Sequence, residues 1–366
     1  MSLEPGTIIE LVIDGLAAGG DGVGRFDGRA VFVPLTAPGD RVAAEVVRVQ
    51  PRWARAEPVQ LLDAGTGRRE APCGLFGECG GCSWLHLTPA AQRDARLTIA
   101  RDALTRIGHF ESLPELEWLP SPVELGYRAR ARVSLAPDEG IVGFHMRRSD
   151  RIVDVERCAV LDAMTQRELD RLRADPGGDS FDRLRSDQVE IRGFGREALG
   201  LHVSRGSFFQ ANGAIWRQWR DAVAEACGRG ASLVELYAGV GFFTTALEPR
   251  FEQIVAVERA ASVADLRANT KAQVVHKSAE AFAVEELSAL SPEVVLVNPP
   301  RTGCDSLVVD AIRRSGARRV VYVSCDPPTL ARDLSRLGDG YHLRRLVVVD
   351  AMPQTHHVEL FALLEC

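Results

Sequence analysis

The sequence predicts an α/β protein in three successive parts. A small all-β module comes first, then a central α+β region, then a doubly wound, mostly parallel sheet. Three observations carry this. Strands and helices alternate from about residue 206 onward. Residues 1–62 hold closely spaced β-rich runs broken by Gly and Pro turns. Between them, residues 63–205 open on a Gly- and Cys-rich stretch that has no clear period.

The first part reads as strands at Thr7–Ile13, Ala30–Pro34 and Arg41–Val49, with turns at Gly19–Gly22 and Pro38–Asp40. The pattern alone fits any small all-β module as well as a nucleic-acid-binding one. In the second part, Pro89 suits the first turn of a helix and Gly108 its end. Residues 125–161 read as strands. Arg128, Arg130 and Arg132 alternate there, which puts them on one face. Residues 162–174 read as a helix. In the third part, strands are expected at Ser232–Leu236, Gln253–Val257, Gln273–His276, Val294–Val297, Arg319–Val323, Leu343–Val349 and Val358–Leu364.

The bulk numbers exclude several classes. With 366 residues the chain can build two or three cores. No apolar run approaches the ~20 residues that cross a bilayer, and Met1–Asp14 lacks a signal-peptide pattern. A cytoplasmic protein without membrane contact, and a monomer, is expected. The net charge is −6, so polyanion binding requires local patches. Lysine occurs only at 271 and 277, so richness in arginine reflects composition rather than function. Eight cysteines in a chain of this length point to metal binding or catalysis rather than disulfides.

Glu235-Leu-Tyr237-Ala-Gly239-Val-Gly241-Phe242-Phe follows a buried-looking strand and opens a helix. Glycines there permit a tight turn and close approach of backbone to a nucleotide. Glu258 ends the next strand, where an acid holds ribose hydroxyls. Thr244 stands in place of the third glycine, which favours S-adenosylmethionine over NAD. Cys325 leaves a strand in the C-terminal half of the sheet, ahead of Pro327-Pro328 and a helix carrying Arg332. Ligands sit beyond the carboxyl ends of such strands. A helix N-terminus and nearby cations are expected to lower the thiol pKa. Asn298-Pro-Pro-Arg301 ends the preceding strand, and Glu359 begins the last one. Taken singly, Glu359, His356 and His357 read as ordinary strand-end residues.

Cys73-x5-Cys79-Gly-Gly-Cys82, with Cys158 downstream, makes a three-plus-one set of thiols. Four thiolates hold zinc or a [4Fe–4S] cluster. Zinc sites usually use two close pairs, so this spacing favours the cluster.

Together these motifs resemble the RNA uracil-C5 methyltransferase family. The match is carried by Phe208-Phe209-Gln210-Ala-Asn212, the Gly239/Gly241 loop, Asn298-Pro-Pro-Arg301, Ser324-Cys325-Asp-Pro and Thr355-His-His-Val-Glu359. The resemblance implies a class I, Rossmann-like S-adenosylmethionine-dependent methyltransferase with a seven-stranded sheet in residues 206–366. It implies Cys325 as nucleophile towards uracil C6 and Glu359 as the base that removes the C5 proton. It implies cofactor contacts at Gln210, Tyr237, Gly239, Gly241, Phe242, Glu258, Ser278 and Asn298, and a [4Fe–4S] cluster on Cys73, Cys79, Cys82 and Cys158 within residues 63–205. The target uridine must leave its stack, and Phe208 and Phe209 are candidates to hold it.

Residues 1–62 resemble a TRAM domain, an OB-like RNA-binding barrel, through Gly15–Gly24 and Pro38-Gly-Asp40. Acids and arginines are about equal in it, which argues for modest RNA affinity. TRAM plus cluster resembles the enzymes acting on 23S rRNA more than those acting on tRNA. The chain departs from the family at three places. Asn298 stands where Asp is usual, Ala238 where Cys is frequent, and Phe242 where Asn is frequent. Two other readings stay open: a non-catalytic RNA-binding or assembly paralogue, and an amino-group methyltransferase suggested by Asn-Pro-Pro.

Overall fold

The computed structural model describes residues 3–178, 181–185 and 187–366. The chain forms two compact units. One comprises Met1–Ile99, Val133–Ala159 and Met352–His357; the other comprises Ala100–Arg132, Val160–Ala351 and Val358–Cys366.

In the first unit, five strands close a barrel in the order Ile8–Leu16, Gly22–Phe26, Arg29–Val33, Trp53–Asp63 and Arg41–Val49. Alternation along each strand sends Ile9, Leu11, Ile13, Val31, Val33, Val42 and Val46 inward. Closure leaves no free sheet edge. Helix Pro89–Arg106 begins where expected, with the Thr88 hydroxyl accepting from the Ala91 N–H at 3.2 Å.

That helix anchors the segment 352–357. Arg96, buried, donates to the carbonyls of Met352, Thr355 and His357 at 3.0, 2.7 and 3.1 Å. Its guanidinium also lies 5.2 Å from the Trp84 ring centre. Gln92 exchanges two hydrogen bonds with Gln354, at 2.7 and 2.9 Å. Arg96→Ala leaves those carbonyls buried without donors. It is expected to cost about 3 kcal/mol or more, read as a lowered urea midpoint.

The second unit is built on eight strands rather than the seven expected. Their order is Gln273–His276, Phe251–Glu258, Gly230–Leu236, Val294–Val297, Arg319–Ser324, Glu359–Glu365, His342–Val349 and Leu116–Leu119. All seven expected strands are present. The eighth, Leu116–Leu119, runs parallel to His342–Val349 at the sheet edge. Four residues between Pro114 and Pro120 carry no readable period. Pairing with a neighbour, aided by the Arg345–Glu117 ion pair at 2.7 Å, makes this segment a strand.

Val294–Val297 is buried throughout, as a strand covered on both faces must be. Helix Ala163–Ala174 is capped by Asp162, which accepts from the Thr165 N–H at 2.7 Å. The expected arginine face also forms. Tyr127, Ala129 and Ala131 are buried, while Arg128, Arg130 and Arg132 point the other way. Arg130 pairs with buried Glu190 and donates to the Phe209 carbonyl at 2.9 Å.

Candidate active site

Sheet topology brings the C-terminal motifs to one end. Strand Arg319–Ser324 pairs antiparallel with Glu359–Glu365, with Ser324 opposite Leu360. Cys325 follows Ser324 and Glu359 precedes Leu360, and the Glu359 carboxyl lies near enough to act on the Cys325 thiol. Parallel strands Gly230–Leu236, Phe251–Glu258 and Val294–Val297 finish beside them. Their carboxyl ends deliver the Tyr237–Gly241 loop, Glu258 and Asn298 to the same edge.

Helix Pro327–Leu337 starts directly after Cys325. Asp326 caps it, accepting from the Thr329 N–H at 2.9 Å, and prolines fill its first turn. The expected lowering of the thiol pKa is not found. Burial pushes the half-buried Cys325 thiol up to about 11; the carboxyls of Glu359 and Asp326 add to this, and Arg301 and a backbone hydrogen bond oppose them. Arg332 acts elsewhere: it bonds the Asp333 carboxyl at 2.8 Å and the Thr302 carbonyl at 2.9 Å. Burial likewise raises Glu359 to about 8, again with Arg301 opposing. The cation that serves both reactive groups is thus Arg301, the last residue of the Asn-Pro-Pro-Arg motif. The motif was legible in the sequence; its charge partners required the fold.

A cavity of about 610 Å³ opens over these strand ends, lined by Tyr237, Glu258, Lys277, Glu280, Cys304 and Arg332 among others. Glu258 accepts from the Gly239 N–H at 2.8 Å through one oxygen, and from the Arg259 and Ala260 N–H groups at 2.9 and 2.7 Å through the other. Three amides thereby fix a carboxylate at the cavity wall, with lone pairs left for a diol. Gly241 has φ +91°, and a Cβ there would come within 3.1 Å of Leu266. The loop therefore needs this glycine to lie against helix Val263–Asn269. Tyr237, also left-handed at φ 62°, donates its hydroxyl to Glu280 at 3.2 Å.

Of the other expected cofactor residues, Ser278 caps helix Ala279–Phe282 between the lining residues Lys277 and Ala279. Asn298 lies two residues before lining Pro300 and donates its backbone N–H to the Leu236 carbonyl at 3.3 Å. Gln210 is half-buried, and its carbonyl accepts from Trp216 Nε1 at 2.9 Å; it does not line the cavity. Phe242 departs from expectation. Its ring is buried in the core, 5.4 Å from Phe209 and 4.9 Å from Phe243. An aromatic side chain at this position turns to apolar neighbours rather than to a polar ligand. The same packing separates Phe208, 66% exposed with the Arg130 guanidinium 5.4 Å from its ring centre, from Phe209, 2% exposed.

Sequence reasoning assigned no role to Glu235. Its buried carboxyl, pushed up to about 8 by burial, accepts from the Thr244 hydroxyl at 2.6 Å beneath the glycine loop. An acid closing a buried strand just before two glycines was the available signal.

In the first unit, Cys73, Cys79, Cys82 and Cys158 are half-buried and form no disulfide. Among the described residues no three His, Cys, Asp or Glu side chains gather closely enough to hold a metal ion. The expected four-thiol site is therefore not assembled. Backbone bonds hold the loop: the Cys79 N–H donates to the Leu75 carbonyl at 3.0 Å, and the Gly81 N–H to Cys79 Sγ at 3.4 Å. Ligand thiols are drawn into place by the ion they bind, not by the loop alone.

Residues 195–366 match the tRNA (Uracil-5-)-methyltransferase family, and residues 3–59 match the TRAM domain. A 23S rRNA (uracil(1939)-C(5))-methyltransferase of Chromohalobacter salexigens is 32% identical, over 97% of this chain and 88% of its own length. Its counterpart in Halomonas elongata is 30% identical, over 97% and 89%. The chain belongs to the RNA uracil-5-methyltransferase family.

The methyltransferase is also similar to a solved structure, the Pyrococcus abyssi tRNA (uracil-54, C5)-methyltransferase in complex with S-adenosyl-L-homocysteine. The two share 26% identity and a TM-score of 0.74, over 97% of this chain and all of the other. S-adenosylmethionine dependence follows from the family, and the Glu258 wall and glycine loop fit such a ligand. No helix among the described residues is long and apolar enough to cross a membrane.

The Cys325 thiol and the Glu359 carboxyl hold their protons at neutral pH. Formation of an adduct with 5-fluorouridine RNA is therefore expected to quicken as pH rises from 7 to 9, measured as initial rates of gel-shifted protein. Stability moves the other way. Glu235 and Glu359 keep protons in the folded state that the unfolded chain has lost, so the fold weakens as pH rises from about 4.5 to about 8.

Proposed function

We propose that the enzyme methylates C5 of a uridine in 23S rRNA through a covalent bond from Cys325 to C6 of the base. The observation that supports this reading is the pairing of Ser324 with Leu360, beside which Cys325 and Glu359 lie in the chain, at the same end of the sheet as the carboxyl ends that carry Tyr237 and Glu258. Uracil C5 is too weak a nucleophile to take a methyl group unaided. Addition of the Cys325 thiolate at C6 makes C5 enolate-like. S-adenosylmethionine, when bound, supplies an electrophilic methyl group. Glu359 then accepts the C5 proton, and the Cys325 sulfur leaves as thiolate. Arg301 eases the charge on both groups, and Phe208 stacks the extruded base.

The barrel supports an RNA partner better than its charge count suggested. Phe32 and Trp53 pack edge-on with ring centres 6.0 Å apart, and Arg48 lies 5.6 Å from the Trp53 ring. Arg25 and Arg55 lie on the same side, on the strands that flank Arg29–Val33. The acids Glu10, Asp14 and Glu45 point outward from strands Ile8–Leu16 and Arg41–Val49. An arginine beside aromatic rings suits an unpaired strand.

The deciding experiment incubates enzyme and S-adenosylmethionine with full-length 23S rRNA and, separately, with tRNA. We expect 5-methyluridine in the rRNA. Product in tRNA alone would favour the second reading, which the likeness to a tRNA methyltransferase supports. Product in neither removes both. An enzyme acting on rRNA works in the cytoplasm.

The [4Fe–4S] cluster on Cys73, Cys79, Cys82 and Cys158 rests on their spacing. Anaerobically purified enzyme is expected to carry about four irons and four sulfides per chain. Zinc alone, or no metal, rejects it.

A further inference from the structure

Asp333 sits on helix Pro327–Leu337 with none of its surface exposed. Oδ2 accepts from the backbone N–H of Cys304 and from the Tyr322 hydroxyl, each at 2.7 Å. Oδ1 accepts from Arg332 Nε at 2.8 Å. Each partner comes from a different border of the reactive pair. Tyr322 lies three residues before Cys325 on the same strand. Cys304 closes the loop that begins Asn298-Pro-Pro-Arg301. The helix bearing Asp333 is the one that leaves Cys325.

A second observation agrees. Gly303 has φ +74°, and a Cβ there would come within 2.4 Å of Asp333 Oδ2 and 2.5 Å of Arg332 Nη2. The loop thus lies directly against this carboxyl group, and only glycine lets it do so. The Gly303 N–H also bonds to the Pro300 carbonyl at 2.8 Å, which closes a tight turn over Pro300–Gly303 with Arg301 inside it and Cys304 next to it. Fixing Cys304 therefore fixes Arg301.

We propose that Asp333 is a positioning residue for methyl transfer: it clamps the Arg301 turn to the strand and helix that flank Cys325, so that Arg301 faces both Cys325 and Glu359. It touches no substrate, and its effect travels through Arg301. The proposal rests on the reading that Cys325 and Glu359 are the reactive pair. A carboxyl group serving only the fold would hold these elements together without influencing the thiol.

The test is a double-mutant cycle on adduct formation with 5-fluorouridine RNA. Asp333→Asn keeps the size of the side chain but removes its negative charge and replaces one acceptor with an amide NH2, which meets the Cys304 N–H and the Tyr322 hydroxyl at the Oδ2 place or Arg332 Nε at the Oδ1 place. We expect Asp333→Asn to slow adduct formation by roughly tenfold to a hundredfold and to move its rise to higher pH. In an Arg301→Ala background, the same substitution should add less than about twofold, because the group it positions is gone. Equal slowing in both backgrounds, or an unchanged pH profile, overturns the proposal in favour of a purely structural role. Tyr322→Phe removes one donor while leaving Asp333 in place. It should show the same pattern at smaller amplitude, and it decides the matter if Asp333→Asn does not fold. Failure of the functional reading looks different: the wild-type enzyme itself would form no adduct.

Discussion

Cys325→Ala is expected to lower methyl transfer by a factor on the order of 10⁵ while leaving S-adenosylmethionine binding within about twofold. The Cys325 thiol is a soft nucleophile suited to adding to a pyrimidine. It lies at the exit of Arg319–Ser324, and the cavity walls that would hold the cofactor come from other segments. Removing one sulfur takes away the covalent step without disturbing Glu258 or the glycine loop. Two measurements check this: methyl incorporation into RNA, and calorimetric titration with S-adenosylhomocysteine. With 5-fluorouridine RNA and cofactor, wild type should give a stable protein–RNA adduct and Cys325→Ala none. An adduct in both proteins would move the nucleophile elsewhere. Substantial turnover by the alanine variant would end the covalent mechanism and leave the amino-group reading to be tested.

The second large effect is expected at Glu359. Glu359→Gln should slow turnover by roughly 10²–10⁴-fold, yet allow the bond from Cys325 to the base to form. The glutamine occupies the same volume but has no basic oxygen to accept the C5 proton. Burial gives Glu359 a proton affinity near neutrality, with a pKa of about 8, which suits a group that takes a proton and returns it. With ordinary uridine RNA, the variant should therefore accumulate an adduct that wild type resolves. Denaturing gels with labelled RNA show it as a persistent shifted band. Rapid turnover by the variant, or no adduct at all, would remove Glu359 from the role of base.

These two residues show how far sequence reasoning reaches. Cys325 is legible because a strand, a cysteine and a proline-capped helix follow one another along the chain. Its electrostatics were not legible. A helix N-terminus suggested a lowered thiol pKa, whereas Glu359 and Asp326 lie close enough to push it the other way. Coulomb energy depends on distance through space, and Glu359 is 34 positions further along the sequence. Phe242 fails for a related reason. Its place in the glycine loop suggests a ligand contact, but aromatic neighbours from other segments draw its ring into the core.

What the amino-acid sequence settled by itself is local: the β-rich runs and Gly/Pro turns of the first part, the caps and prolines that start helices, the seven main strands, and the motifs that identify the family. These depend on residues a few positions apart. The fold alone decided the eighth strand at Leu116–Leu119, the influence of Glu359 on Cys325, that of Arg301 on both, and the burial of Asp333 among three segments. Each of these joins residues distant along the chain. The energies concerned, hydrogen bonding across strands, desolvation and charge–charge interaction, exist only once folding has fixed the distances.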